Sequence, residues 1–204
     1  MSRERIVECA VDYVGRHCLS DLSMRRLGSE LGVEAMALYR YFPSKAALFE
    51  AIVDNTVAKI AGAAVDGSDW ESAVRAYTRS FRDAARAEPG LFPLLPAAAH
   101  THPGVRALME RMHEMWRKAG LDDETAHQAQ CAVHAFTMGT VTAELAASFG
   151  SAPQGSTADH RAEESTETEF EFSVNVLVEG LRARVAAREP AQRNDAAPES
   201  AGPA

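Results

Sequence analysis

The chain has 204 residues, 46% of them hydrophobic, and a formal net charge of −8. Abundant alanine with few β-branched runs predicts an all-α fold, long enough for one compact unit or two closely packed ones. No apolar run near about 18 residues occurs and no signal peptide is expected, so the chain is expected to be cytoplasmic, with no membrane partner.

The deficit of charge is uneven. Residues 1–64 hold eight Lys/Arg and eight Asp/Glu, so the remaining 140 carry all of it. A neutral head on an acidic body opposes loose sticking to polyanions while leaving local cations free to act.

From Arg3 to Cys18, the residues Ile6, Val7, Ala10, Val11, Val14 and Cys18 recur at helical spacing, with Glu4, Glu8, Asp12 and Arg16 towards water. Next comes SDLSMRRLGSELGVEAMALYRYFPSK, residues 20–45. It predicts two short helices, the first facing inward through Leu27 and Leu31. Gly32 then supplies the left-handed residue that ends a helix. In the second helix Val33 and Leu38 point inward, while Met36, Tyr39 and Arg40 project outward. This is the layout of a helix-turn-helix, over about residues 22–41, whose second helix enters the DNA major groove.

Pro43 and Ser44 open a long helix to about Ala64, Pro at a position where its missing N–H is not needed and Ser as a cap. Starting beside the second helix of the motif and ending in the body, it is the natural lever between them. A helix restarts at Trp70 and runs to Ala87, where Glu88-Pro89-Gly90 stops it. Leu91–Pro96 is too rich in proline for a long helix and too apolar for a surface loop, so it is expected to line or plug the interior. His102-Pro103-Gly104 turns into a helix through Lys118, ended by Gly120, and Asp122 can cap its successor.

Residues 124–149 form a helix apolar around most of its circumference, about 39 Å long at 1.5 Å per residue. The polar stretch Gly150–Ser165 reads as a flexible loop. Beyond it Phe170, Val174, Leu177, Leu181 and Val185 make an amphipathic stripe, widened by Phe172, Val176 and Val178. Two such helices predict a four-helix seam between two subunits, with Leu181 on it. Glu189–Ala204 has the composition of a disordered tail.

Several of these segments resemble the tetracycline-repressor (TetR) family. Leu31-Gly32-Val33, Leu38-Tyr39-Arg40-Tyr41-Phe42, Ser44-Lys45 and Leu48 are similar to its N-terminal domain. Phe170-Glu171-Phe172-Ser173 with Leu177 and Glu179-Gly180-Leu181 is similar to the C-terminal signature of the tetracycline-repressor subclass, which usually has Gly where this chain has Ser173. The segment from Ala132-Val133 to Gly139 is similar too. The resemblance implies a helix-turn-helix domain over 1–45, an effector-binding and dimerisation domain over 46–188, and the tail 189–204 outside both.

Carried over by position, the DNA contacts fall on Ser23, Met24, Arg25, Ala35, Met36, Ala37, Tyr39, Arg40, Tyr41 and Lys45. Arg25 and Lys45 suit phosphates near helix N-termini. Arg40 suits guanine O6 and N7, or a phosphate. Met36 and the alanines offer only apolar contact, so DNA shape is expected to matter. The resemblance further implies a homodimer on a palindromic double-stranded operator, repressing until a small molecule binds the body.

The candidate effector-lining groups are Phe92, Leu95, Met109, Met112, His113, Trp116, His134, Phe136, Thr137 and Thr140. Their mixture suits a largely apolar ligand held by one or two hydrogen bonds. Tetracycline is not expected, because Glu144 falls one position past the acid that chemistry requires. No His pair has the spacing of a hydrolytic zinc site, and no nucleophile arrangement or phosphate loop is visible, so no catalytic residue, metal or cofactor is expected. Cys9, Cys18 and Cys131 lack ligand spacing and read as small buried hydrophobes. Two alternatives stay open: an effector-independent DNA-binding and dimerisation module, and a transcriptional activator.

Overall fold

The computed structural model describes residues 1–17, 19–64, 69–92, 102–149 and 157–187. Among them are eight α-helices and two 3-10 turns and no strand, which is the all-α fold expected. Cys18, Leu95, His100, the segment 93–96 and the tail 189–204 lie outside the described residues.

Helix α1 (Arg3–Arg16) is capped by Ser2, whose side chain accepts from the Arg5 N–H. Its buried face is Ile6, Val7, Ala10, Val11, Tyr13 and Val14. Helices α2 (Met24–Glu30) and α3 (Ala35–Tyr39) follow. Gly32, between them, has φ 68°, the left-handed backbone that a side chain disfavours. Gly28 lets them close up: a Cβ there would stand 2.7 Å from the Val33 carbonyl. Leu27, Leu38 and Phe42 fill the centre of this first core.

Helix α4 (Lys45–Ala64) is capped by Ser44, whose hydroxyl accepts from the Ala47 N–H at 3.0 Å. Its first half gives Leu48 and Ile52 to the first core. Val53, Val57 and Ile60 belong to a second core. One helix thus runs through both cores without a break.

The second core is built by α5 (Trp70–Ala87), α6 (Pro103–Lys118), α7 (Asp123–Phe149) and α8 (Thr157–Ala186). Asp69 caps α5 through the Glu71 and Ser72 N–H groups. The α6–α7 turn uses Gly120 at φ 91°, and Asp122 accepts from the Thr125 N–H at 2.8 Å. A 3-10 turn, Pro89–Leu91, follows α5 and returns Leu91 to the first core.

Two expectations are corrected. The stretch 150–165 is not a loop throughout, because α8 begins at Thr157. No Gly or Pro follows Gly155 until Gly180, and a helix already nucleated by packing extends through such residues at little cost. The second correction concerns which face of α8 is free. Phe170, Val174, Val178 and Leu181 are buried within the subunit, so Leu181 is a core residue rather than a seam position. Phe172 and Val176 are the outward pair, 69% and 54% exposed.

The reason lies in α5. Beside the apolar contact, Glu71 takes a two-pronged bond from Arg182 (2.7 and 2.5 Å), and Arg75 donates to Asn175 (2.6 Å). Arg79 grips Glu171 through two bonds of 2.7 Å. Arg82 completes the row by donating from Nε to both Glu144 oxygens at 2.9 Å and from Nη1 to Glu167. These antiparallel rungs fix the rotation of α8 about its axis.

Candidate nucleic-acid interface

Helix α3 is only five residues long, too short to hold together by itself. Leu38 anchors it from below, and its outer side is left with Met36, Tyr39 and Arg40, all exposed. Met36 is 70% exposed and Tyr39 42%. Arg40 and Arg25 are exposed and make no ion pair among the described residues, whereas neighbouring Arg26 is held by Asp21 at 3.0 Å and Arg16 by Glu30 at 3.1 Å. Free and committed cations therefore alternate around the motif.

Ser23 is the cap of α2, its hydroxyl accepting from the Arg26 N–H at 3.2 Å. That leaves neighbouring N–H groups of the first turn to face an anion. Lys45 is half-buried, its Nζ 5.0 Å from the Phe49 ring centre. The ring carries the stem while the ammonium stays available. Ala35 and Ala37 are half-buried at the flanks of the exposed strip.

Met24 does not reach this surface. It is 5% exposed and packs with Leu22 and Leu27, because the first turn of α2 leans on α1. Tyr41 is half-buried and its hydroxyl already donates to the Met1 carbonyl at 2.8 Å. Arg3, which helical periodicity gave no cause to single out, donates from Nη1 to the Tyr41 carbonyl. Its guanidinium lies 4.3 Å from the Phe42 ring centre.

In the body, Met112, Trp116 and Thr137 are fully buried. Phe92, Met109, His134, Phe136 and Thr140 are half-buried. Thr137 turns its hydroxyl back to the Val133 carbonyl at 2.7 Å. His113 stands at an edge, 3.5 Å from Asp123. Two residues of α5 join the cluster without having been expected there. Tyr77 shares a hydrogen bond of 3.1 Å with His134 Nδ1, and Phe81 meets Phe92 and His134 edge-on at 6.1 and 6.4 Å. Their i, i+4 spacing on an amphipathic helix was the available signal. Burial drives the Tyr77 phenol far above its ordinary pKa, so it stays neutral.

A groove of about 850 Å³ lies elsewhere, between Trp70 and Ala73 of α5 and Ala107, Glu110, Arg111 and Met115 of α6. None of the nine candidate effector residues that are described lines it. His102 is a buried cap of α6: its Nδ1 accepts from the Gly104 N–H at 3.2 Å and its Nε2 donates to the Glu50 carbonyl at 3.3 Å. It ties α6 to the lever helix.

Glu144 is engaged by Arg82, and among the described residues no three His, Cys, Asp or Glu groups converge on a metal position. Cys9 is half-buried, its thiol pushed up chiefly by burial. Cys131 departs from the buried reading: it is exposed, with Sγ 3.5 Å from His127 Nε2, because it sits on the outward face of α7. No described helix is long and apolar enough to cross a membrane.

Residues 6–52 match the family model of bacterial regulatory proteins, tetR family, and residues 64–164 match the tetracyclin repressor-like C-terminal domain. The chain is 29% identical over 146 residues to the HTH-type transcriptional repressor DrrR1 of Streptomyces coeruleorubidus, a match covering 71% of this chain and 54% of that one. It therefore spans about half the length of that relative. Over 201 residues it is 28% identical to the class A tetracycline repressor protein from transposon 1721 of Escherichia coli, covering 88% and 89% of the two chains. The crystal structure of a possible TetR family transcriptional regulator from Streptomyces coelicolor A3(2) superposes with a TM-score of 0.69 at 29% identity, over 89% of this chain and 99% of that one. With both of its halves matched, the chain belongs to the TetR family of DNA-binding transcriptional regulators, which are not enzymes.

Proposed function

We propose that this protein is a cytoplasmic, homodimeric repressor that reads a palindromic operator and leaves it when a small, largely apolar ligand enters the body. The observation that carries this reading is the division of α4 between the two cores. A ligand that shifts the second core must move Val53, Val57 and Ile60, and the same helix holds Leu48 and Ile52 under α3. Coupling is then a matter of rigid-body geometry, and linkage requires that operator weaken ligand binding by the same factor.

The DNA contacts are assigned to Arg25, Tyr39, Arg40 and Lys45, with Ser23, Ala35, Met36 and Ala37 beside them. Met24 and Tyr41 act through their backbones and by holding the motif. The homodimer is supported by the outward faces of α7 and α8. Phe172 and Val176 of α8 are exposed, and so are Ala132, Ala135, Gly139, Ala143 and Ala146 of α7. Small residues on one helix and large ones on the next allow close approach of a second copy in a four-helix arrangement.

An apolar ligand is supported by the cluster of Tyr77, Phe81, Phe92 and His134. The indole Nε1 of Trp116 and Oε1 of Gln130 are also buried with no hydrogen-bond partner among the described residues. Buried polar atoms left so are costly, and a ligand that pairs with one gains from it. The test begins with a duplex selected by the protein from a random pool. A compound library screened by thermal shift is then scored for release of that duplex. A tight binder of the body that leaves DNA affinity unchanged would favour an effector-independent module.

A further inference from the structure

We propose that Arg3 is a positioning residue for operator reading: from helix α1 it holds the C-terminal end of the reading helix α3 in the pose that faces DNA. The inference rests on α3 being the reading helix.

Helix α3 has five residues, and its last carbonyls find no partner within it. Pro43 stands four residues past Tyr39 and has no N–H to return to the Tyr39 carbonyl, so the helix cannot lengthen through it. The Tyr41 and Phe42 N–H groups both return to the Leu38 carbonyl, which closes the turn and leaves the Tyr41 carbonyl, two residues past the end of α3, to a side-chain donor. Arg3 supplies the missing donor through Nη1. Its guanidinium also lies 4.3 Å from the centre of the Phe42 ring, a residue that is fully buried.

One side chain therefore makes a charge-assisted bond to the helix end and stacks on the ring that anchors it. The Tyr41 hydroxyl, donating to the Met1 carbonyl at 2.8 Å, ties the same two segments together from the other side. At its opposite end α3 is held by the close approach at Gly28. With both ends fixed, Met36, Tyr39 and Arg40 are presented as a set. Freeing one end lowers the fraction of molecules in the binding pose, and apparent affinity falls by that fraction.

A positioning role and a phosphate contact differ in their salt dependence. Losing a phosphate contact flattens the slope of log affinity against log salt by about 0.9 and weakens all sequences alike. Losing pose leaves the slope unchanged and weakens the selected sequence alone.

The experiment uses the full-length chain, a duplex selected from a random pool by the parent protein, and a scrambled duplex of equal composition. Arg3→Ala, Arg3→Lys, Tyr41→Phe and Arg40→Ala are compared by fluorescence anisotropy over a range of salt, with the active fraction fixed by stoichiometric titration. For Arg3→Ala we expect affinity for the selected duplex to fall roughly tenfold, the scrambled duplex to bind as before, and the salt slope to stay parental. Arg3→Lys, which keeps a donor but loses the planar stack, should fall between Ala and Arg. Tyr41→Phe should show a smaller loss of the same kind.

Parental affinity in Arg3→Ala overturns the proposal, as does a flattened slope with both duplexes weakened, or full restoration by Lys. If Arg3→Ala is not folded, Arg3→Lys and Tyr41→Phe decide by the same criteria. Should Arg40→Ala bind like the parent, the reading-helix assignment itself fails; should Arg40→Ala weaken binding while the Arg3 variants do not, only the present inference does.

Discussion

Gly90 lies against the backbone of Val14, so close that an added Cβ would stand 2.5 Å from the Val14 carbonyl oxygen. This puts the turn after α5 in direct contact with α1. Leu91 enters the first core while Phe92 packs on the second. Glu88, two residues before Gly90, accepts from Thr56 of α4 at 3.5 Å and pairs with Lys59. The head is thus joined to the body twice, through α4 and through this turn.

Gly90→Ala is therefore expected to force the two elements apart. Overpacking of this kind costs about 1–3 kcal/mol, measured as a lower urea midpoint with an unchanged m-value. Gly139→Ala, where nothing lies within 4 Å, should show no comparable loss in the subunit. Equal stability of Gly90→Ala and the parent would mean that the turn yields freely.

The outward pair on α8 defines the assembly test. Phe172→Glu with Val176→Glu should give monomers by light scattering while the subunit keeps its helical content. Leu181→Glu should behave differently. It buries an unpaired carboxylate in the subunit core and should cost about 3 kcal/mol or more of folding stability. A folded monomer from Leu181→Glu would place that residue on the seam after all.

Arg82 is 3% exposed and bonded to two carboxylates, with Phe170 beneath it at 4.2 Å. Arg82→Ala should cost about 3 kcal/mol, because it removes two charge-assisted pairs, one of them to the partly buried Glu144, together with the stack. Arg82→Met should recover part of the loss by restoring packing over Phe170. Chemical denaturation of the pair of variants reads both effects.

The ladder also predicts a pH response. Glu71 and Glu171 are held below the usual carboxylate range, first by their bonds to Arg182 and Arg79. A carboxylate depressed in the folded state contributes stability above its unfolded pKa and loses it as pH falls through the folded value. Thermal melts should therefore drop on acidification below about pH 4.5, the unperturbed Glu value. The drop should be shallower in Arg79→Gln, where Glu171 has lost its main partner. An identical acid limb in Arg79→Gln would show that this rung does not contribute.

For DNA, Lys45→Ala should weaken the selected and the scrambled duplex alike and flatten the salt slope by about 0.9. Arg40→Ala should also relax base preference, by about 1–3 kcal/mol of discrimination if it meets guanine. Unchanged sequence preference in Arg40→Ala would move that side chain from base to backbone.

Much of the fold was readable along the chain because the relevant physics is local. Gly32 and Gly120 follow from backbone sterics, and the ends of the helix Trp70–Ala87 follow from Asp69 before it and Glu88-Pro89-Gly90 after it. The exposure of Met36, Tyr39 and Arg40 follows from the helical repeat around Leu38. The periodicity of α8 also showed two apolar faces, but not which one the subunit covers, because that depends on α5 laying its arginines against Glu167, Glu171 and Asn175 about ninety residues away. Met24 looked outward by position and proved buried because α2 leans on α1. The contact of Arg3 with Tyr41, 38 residues apart, leaves no periodic trace at either end. Capped helix starts, stops and left-handed turns depend on neighbours in sequence and were determined there; the start of α8, the choice of face, the ion-pair ladder and the joint at Gly90 depend on neighbours in space, and tertiary packing decided them.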